Sequence, residues 1–175
     1  MADISIDHYC GGIFQTNAFL LRSGGKNWLF DAPEGVTGWL EEIGVRPDAV
    51  ILTHQHHDHV LDAGVLAETF DCPLYAYAEP SEDLTLSKRL EQMMGIPCPI
   101  APYTIQHLLA GENSLELGGL SFALLHIPGH SPDSLCFYLA AGDLVIGGDV
   151  LFCGGIGRTD FPNGNHEQLL SGIRE

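Results

Sequence analysis

Basic residues are scarce in this sequence: seven lysines and arginines stand against 23 aspartates and glutamates, giving the 175-residue chain a formal net charge of −16. A surface this acidic repels phosphate backbones, which argues against binding to nucleic acid. The chain also lacks any run of about 18 apolar residues, the length needed to span a bilayer. Its first residues lack the basic region and apolar stretch of a signal peptide. We therefore expect a protein that binds neither nucleic acid nor membrane.

Cysteine pairs at metal-binding or redox spacing are missing as well. The five cysteines, an odd number, are scattered and include no C-x-x-C pair. This distribution favours reduced thiols in a cytoplasmic protein over a disulfide framework in a secreted one. Hydrophobic residues make up 45% of the chain, enough for the core of one domain of this length. We therefore expect a single cytoplasmic domain, residues 1–175.

Short apolar runs and helix-like periodicities alternate along the chain, without linkers, low-complexity runs or repeats. Strands with helices interspersed in each half suggest two sheets packed face to face, with helices on the outside. The predicted strands are 4–8, 18–21, 28–31, 50–53, 73–76, 104–108, 114–117, 120–126, 135–139 and 144–146, and the predicted helices are 36–43, 60–70, 82–94 and 166–175.

One histidine-rich stretch, Thr-His-Gln-His-His-Asp-His, lies between a predicted buried strand and a predicted helix. Side chains two apart in extended backbone point the same way, so His54 and His56 can converge on one point while His57 points to the other side. Asp58 and His59 come where the chain begins to coil and can serve a neighbouring point. Imidazole and carboxylate suit Zn, Fe and Mn ions. The spacing predicts a binuclear metal site; the alternative is a solvated loop rich in histidine.

Two later strand ends offer further ligands. His130 lies on a loop after a predicted strand, directly behind a Pro-Gly turn, and Asp149 follows two glycines at the end of another strand. A carboxylate at Asp149 could bridge two cations, and the glycines let the backbone approach the site closely. The alternatives are ordinary structural roles, a buried histidine and a turn aspartate.

These motifs resemble those of the metallo-β-lactamase superfamily, and they occur in the family's order. The resemblance depends on the histidine-rich stretch, on Pro128-Gly129-His130-Ser131 and on Gly148-Asp149. The segment from Gly154 to Pro162 is similar to the glyoxalase II-like (hydroxyacylglutathione hydrolase-like) single-domain branch. The resemblance implies an α+β fold, a four-layer αββα sandwich with the site at one edge between the sheets.

The resemblance also implies two divalent metal ions, zinc first, with iron or manganese as alternatives. In the family a further histidine, after another strand, completes the second ion's ligands, and this sequence has no counterpart. His166 precedes a predicted helix and is not assigned that role. We therefore expect the chain to be C-terminally incomplete, without the family's last strand and helix. The implied ligands are His54, His56 and His130 for the first ion, Asp58 and His59 for the second, and Asp149 as the bridge.

The implied activity is hydrolysis of a thioester, such as S-lactoylglutathione or another small acyl-thiol, by a hydroxide that the metals activate. Asp58 would receive or orient the proton of that nucleophile. Arg158 lies where glyoxalase II proteins carry a basic residue that grips the thiol carrier, and its guanidinium could clamp a carboxylate. A structural pair between Arg158 and Asp160 is the alternative. The oligomeric state stays open.

Two other functions are compatible with the sequence. One is a persulfide dioxygenase on the same scaffold, which uses a single Fe(II) held by two histidines and one aspartate. The other is a non-catalytic metal-binding domain. Among the neighbouring residues, we expect His126 to be structural or to support a ligand, and Cys153 to be a buried inert thiol. Asp31 either orients a ligand histidine or simply ends its strand.

Overall fold

A computed structural model describes residues 4–175, which form two large sheets and six α-helices. The first sheet has six strands in spatial order of sequence. Its first three strands are antiparallel and the others continue in parallel. The strands are β1 Ser5–Gly11, β2 Thr16–Ser23, β3 Lys26–Phe30, β4 Ala49–Ile51, β5 Leu74–Ala76 and β6 His107–Leu108.

The second sheet is antiparallel and has four strands in the order β10-β9-β8-β7. A two-stranded hairpin follows it directly along the chain. The strands are β7 Ser114–Leu117, β8 Leu120–His126, β9 Leu135–Leu139 and β10 Leu144–Ile146, and the hairpin is β11 Leu151–Phe152 with β12 Gly155–Ile156.

The helices are short, and within residues 4–175 none is long and apolar enough to cross a membrane. They are α1 Val36–Glu42, α2 His57–Val60, α3 Ala63–Phe70, α4 Glu82–Thr85, α5 Ser87–Met94 and α6 His166–Arg174.

The main core lies between the two sheets. Phe30 of the first sheet packs against Phe122 and Phe137 of the second, with ring centroids 6.0 and 5.3 Å apart. A second core forms where α1 and α3 cover the outer face of the first sheet. A third forms on the outer face of the second sheet, where Leu169 of α6 packs with Cys136. Helix, sheet, sheet and helix therefore form four layers, which confirms the predicted αββα sandwich.

Two predicted helices are interrupted for identifiable reasons. The predicted helix 60–70 divides into α2 and α3 because the backbone N–H of Ala32 donates to the His59 carbonyl at 2.9 Å. The Ala32 carbonyl in turn accepts from the N–H of Asp62, also at 2.9 Å. The loop after β3 thus takes hydrogen bonds that a continuous helix would use. The predicted helix 82–94 is broken at Leu86, which has a φ of 55°.

Other differences concern short pairings. In the predicted strand 104–108, only the last two residues pair as β6. The hairpin β11–β12 was not predicted, since strands of two residues show no periodicity.

Four loops that follow strands meet at one edge between the sheets. There the N–H of Leu135 donates to the Thr53 carbonyl at 2.8 Å, which joins the sheets beside the histidine-rich loop.

Candidate metal centre

Three buried histidines converge where the loops after β4 and β8 meet. Nε2 of His130 lies 2.8 Å from Nδ1 of His56 and 3.2 Å from Nε2 of His54. Two ligands of one tetrahedral zinc ion, each bonded at about 2.0–2.1 Å, lie about 3.3 Å apart. The ring nitrogens are thus spaced as ligands of one ion would be, although they come from positions 54, 56 and 130.

A second group adjoins the first and contains His59 and two carboxylates. Nε2 of His59 lies 3.3 Å from Oδ1 of Asp149 and 3.6 Å from Oδ2 of Asp58. The other oxygen of Asp149 lies 3.5 Å from Nε2 of His130. Asp149 therefore presents one oxygen to each group. Ligand atoms of His54, His59 and Asp149 all lie within 4.8 Å of one another, a set that could also hold an ion.

Hydrogen bonds behind the rings determine which nitrogen faces the centre. Nδ1 of His130 lies 2.8 Å from the carbonyl oxygen of Arg158, and Nδ1 of His59 lies 2.9 Å from Oδ2 of Asp31. An N–H at each Nδ1 can donate to these oxygens, leaving the Nε2 lone pair free for a cation. Asp31 also accepts from the backbone N–H of Thr53 at 2.7 Å. Asp31 thus orients a histidine of the centre, one of its two predicted roles.

Burial keeps the first histidine group neutral. It lowers the pKa of His54 well below its usual range, and it lowers the pKa of His56 to about 3. The pKa of His130 is lowered too, because burial outweighs the negative charge of Asp149. Neutral imidazole is the form that binds metal. The geometry and protonation of these rings therefore fit a divalent cation.

In the second group, neighbouring negative charges outweigh the effect of burial on the histidine. Burial opposes protonation of His59, yet the negative charge of Asp31, aided by Asp149 and Asp58, raises its pKa well above the usual range. Burial alone would raise the pKa of Asp149, but hydrogen bonding to His59 and its positive charge lower it. Three carboxylates around one imidazole attract positive charge, so this group also fits a cation.

Two glycines allow the close packing around the centre. Gly148 has a φ of 49°, and a Cβ there would collide with the Thr53 side chain. A Cβ on Gly157 would collide with the Asp149 carbonyl oxygen and lie 2.9 Å from Nδ1 of His130. The glycine before Asp149 thus has the close backbone approach predicted from the sequence.

Polar side chains that the sequence did not indicate hold these loops. The Thr16 hydroxyl on β2 donates to Oδ2 of Asp58 at 2.5 Å. Behind the histidines, the side-chain N–H of Gln55 donates to Asp133 at 3.2 Å, and the Tyr103 hydroxyl donates to Gln55 at 3.0 Å. The Ser131 hydroxyl donates to Asp133 at 2.5 Å, which ties the His130 loop to the same network.

Other residues considered from the sequence lie outside the centre. His57 points away, and its Nε2 lies 3.1 Å from the Cys98 carbonyl oxygen. His126 stacks on Tyr77, and its Nε2 lies 2.8 Å from the Pro132 carbonyl oxygen, a structural position. His166 begins α6 and belongs to neither ligand group within residues 4–175.

Arg158 and Cys153 lie beside the centre, at the wall of the same cavity. The Arg158 guanidinium forms two 2.7 Å hydrogen bonds to Asp160 and lies 4.0 Å from the centre of the Phe161 ring. The structural pair between Arg158 and Asp160, which was the alternative to substrate binding, is therefore present. Cys153 is exposed, so the expectation of a buried thiol is wrong. It lies in the turn between β11 and β12, which is too tight to cover its own side chain.

The centre lies at the floor of a cavity of about 540 Å³. Arg89 of α5 also lines this cavity, and no ion pair within residues 4–175 involves it. Sequence reasoning did not identify Arg89, although the scarcity of basic residues is a signal that could have drawn attention to it. The apolar part of the wall includes Phe14, Phe19, Leu90, Met93, Leu151, Phe152 and Phe161.

The αββα fold and the two ligand groups at one edge of its sheets are typical of metallo-hydrolases. The sequence model of the Metallo-beta-lactamase superfamily matches residues 11–175, and the chain belongs to that superfamily. A probable metallo-hydrolase of Bacillus subtilis, YqgX, is 38% identical over 170 residues, which are 94% of this chain and 79% of that protein. The hydroxyacylglutathione hydrolase GloC of Haemophilus influenzae is 36% identical over 166 residues, 92% of this chain and 78% of that protein.

Solved structures agree with this family membership. BLEG-1, described as a B3 metallo-β-lactamase, is 33% identical with a TM-score of 0.85, covering 98% of this chain and 84% of that one. TTHA1623, solved in a di-iron-bound form, is 32% identical with a TM-score of 0.78, and the match covers 96% of this chain and 84% of that one. ETHE1 of Myxococcus xanthus is 25% identical with a TM-score of 0.75, and the match covers 98% of this chain and 68% of that one.

Proposed function

We propose that the chain is a two-metal hydrolase of thioesters carried by a small anionic thiol, S-lactoylglutathione being one example. The observation that carries the proposal is the carboxylate of Asp149, which presents one oxygen to His59 at 3.3 Å and the other to His130 at 3.5 Å. A carboxylate in this position could serve two neighbouring cations. Similarity to a hydroxyacylglutathione hydrolase supports the choice of thioester.

In this proposal the ligands fall into two sets around Asp149. Bound divalent ions would supply Lewis acidity toward the thioester carbonyl and activate a water molecule for attack. Zinc suits the histidine-rich first set, and iron or manganese are the other candidates. The proposed ligands are His54, His56 and His130 for the first ion, Asp58 and His59 for the second, and Asp149 for both.

The chain's own residues would prepare the remaining steps. Asp58 would accept the proton of the attacking water, with its carboxylate held in place by the Thr16 hydroxyl. Asp31 holds the His59 ring, and the Arg158 carbonyl holds the His130 ring. These contacts fix the donors before substrate arrives, which lowers the cost of ordering them during the reaction.

The thiol carrier would bind at the two cations of the cavity wall. Arg158 is already paired with Asp160 and stacked on Phe161, so it presents a rigid and partly neutralised guanidinium. Arg89 lines the same cavity and forms no ion pair within residues 4–175. In a protein with seven basic residues, two at one cavity mouth favour an anionic ligand there.

Metal content and turnover, measured together, test this function. Protein loaded with zinc, iron or manganese should hold two ions per chain and hydrolyse acyl-glutathione thioesters. His130→Asn should lose an ion and the activity. His126→Asn should keep both, since that histidine contacts only Tyr77 and Pro132. Two bound ions without turnover of any acyl-glutathione would refute the thioester proposal.

A persulfide dioxygenase with one iron is the second candidate. The three-histidine group is the tightest set of ligand atoms, and Asp149 lies 3.5 Å from His130. Asp58, which the two-ion arrangement requires, lies 3.6 Å from His59, farther than the spacing within the three-histidine group, and is hydrogen-bonded to Thr16. One iron per chain, with oxygen consumed in proportion to glutathione persulfide, would favour this candidate over hydrolysis.

A further inference from the structure

Apolar side chains are exposed around the opening of the cavity, on three separate segments. Phe14 lies between β1 and β2, Met93 lies in α5, and Leu151 and Phe152 form β11. Their exposed fractions are 49%, 60%, 55% and 45%, respectively. A single exposed apolar residue is ordinary, but several on the wall of one concave site indicate a surface that a ligand covers.

We propose that this apolar rim, formed by Phe14, Met93, Leu151 and Phe152, binds the acyl group of the substrate. The substrate is then a thioester with an apolar chain or ring next to its carbonyl, rather than a short polar acyl group such as lactoyl. This inference rests on the proposed thioester hydrolysis and specifies its substrate class.

Short stretches of chain connect the rim to the residues of the metal centre. Phe14 precedes Thr16 by two residues, and Thr16 donates to Asp58 at 2.5 Å. Leu151 follows Asp149 by two residues, and that carboxylate faces both ligand groups. The acyl group is bonded directly to the carbonyl carbon, so in this proposal it leaves the floor along the wall that these segments form. The rim is part of that wall.

The thiol carrier has a different place. The Phe161 ring lies 5.8 Å from the His56 ring, and the Arg158 guanidinium covers Phe161. An anionic carrier is attracted to this guanidinium, which leaves the rim to the acyl group. The cavity of about 540 Å³ has the size of a small-molecule site.

Hydrolysis of a homologous series tests the rim directly. Acetyl-, butanoyl- and hexanoyl-glutathione share one carrier and differ only in methylenes. Burying a methylene should raise kcat/KM about fourfold. The double variant Phe14→Ser, Phe152→Ser should flatten this dependence, so that the kcat/KM values for the hexanoyl and acetyl thioesters become similar. Tyr138→Ser is the matched control, because this exposed aromatic residue of β9 lies outside the cavity. A flat series in the unaltered, active enzyme overturns the proposal.

A binding experiment separates this inference from the proposed function. S-propyl- and S-hexylglutathione cannot be hydrolysed, and calorimetry with the metal-loaded protein gives their Kd values. Tighter binding of the hexyl compound, lost in the double variant, supports the rim even if no thioester is turned over. Equal or undetectable binding of both compounds overturns it. A dimer that dissociates in the double variant, together with a flat hydrolysis series, would instead assign the rim to a second copy of the chain.

Discussion

The Thr16 hydroxyl lies 2.5 Å from Oδ2 of Asp58, although the two residues are 42 positions apart. Thr16 begins β2, whereas Asp58 lies in α2, one residue before a histidine of the second ligand group. Thr16 is buried, so water cannot easily replace its hydroxyl as the donor to this carboxylate. The contact therefore holds the Asp58 carboxylate in place beside the second ligand group.

Thr16→Val should lower kcat for thioester hydrolysis about tenfold, because a hydrogen bond to a charged group contributes roughly 1.5–3 kcal/mol. Valine has nearly the same shape as threonine, so the fold should be retained although the hydrogen bond to Asp58 is lost. Thr16→Ser keeps the hydroxyl and should retain most of the activity. Steady-state kinetics of the three proteins, at equal metal content, provide the measurement. An unchanged kcat in Thr16→Val would show that Asp58 needs no such support.

The contact at Gly157 predicts a loss of metal affinity. Gly157→Ala would place a methyl group against the Asp149 carbonyl oxygen and 2.9 Å from Nδ1 of His130. The His130 ring must then shift away from its bond to the Arg158 carbonyl. Such a change behind a ligand typically weakens metal binding about 10- to 100-fold. Competition with a chelator measures this affinity.

Gly155→Ala is the control for that experiment. Gly155 lies in β12, two residues before Gly157, and a Cβ there would meet nothing within 4 Å. It should therefore leave metal affinity unchanged. Equal affinities for the two variants would contradict the role assigned to Gly157 as the close neighbour of His130.

Much of the centre could be predicted because its residues obey local rules. His54 and His56 point to one side and His57 to the other, and this follows from the two-residue period of extended backbone alone. The strands 114–117, 120–126, 135–139 and 144–146 coincide with the observed β7, β8, β9 and β10, since their apolar patterns are regular and their turns short.

The remaining features depend on contacts between distant segments. The break between α2 and α3 results from hydrogen bonds with Ala32, which lies outside both helices. Thr16 reaches the centre because β2 pairs beside β3 in the first sheet, and Arg89 reaches the cavity because α5 packs over it. A threonine or an arginine has no distinctive local pattern, so neither residue could be assigned to the site before the fold was known.

Protonation of the buried histidines predicts how stability depends on pH in the metal-free protein. The pKa of His56 falls from its ordinary value of 6.5 to about 3 on folding, mainly because burial disfavours its charged form. As pH drops below 6.5, the unfolded chain takes up a proton that folded His56 refuses. The free energy of unfolding should then decrease by about 1.4 kcal/mol per pH unit from this group, down to pH near 3.

Comparison with His56→Asn isolates that contribution from the other titrating groups. Urea unfolding of both apo proteins at pH 7, 5.5 and 4.5 gives two stability profiles. The wild type should lose stability relative to the variant as the pH decreases from 7 to 4.5. Parallel profiles over the whole range would contradict the lowered pKa of His56.

Arg89 should contribute to substrate affinity rather than to the chemical step. Its guanidinium lines the cavity without an ion pair inside residues 4–175, so it is free to bind an anionic carrier. Arg89→Gln should raise KM for acyl-glutathione about tenfold with little change in kcat, the loss expected for one charge-assisted hydrogen bond. Steady-state kinetics at low and moderate salt provide the measurement, because screening should reduce the difference.

Lys88→Gln is the matched control for Arg89→Gln. It removes the same charge from the neighbouring position of α5, but Lys88 does not line this cavity. Acyl-glutathione diethyl ester provides a second control, since its carrier lacks free carboxylates and should have a KM that Arg89→Gln leaves unchanged. If Lys88→Gln raised KM as much as Arg89→Gln, the effect would come from the general field of the protein. If the ester responded as the acid does, Arg89 would contact some other part of the substrate.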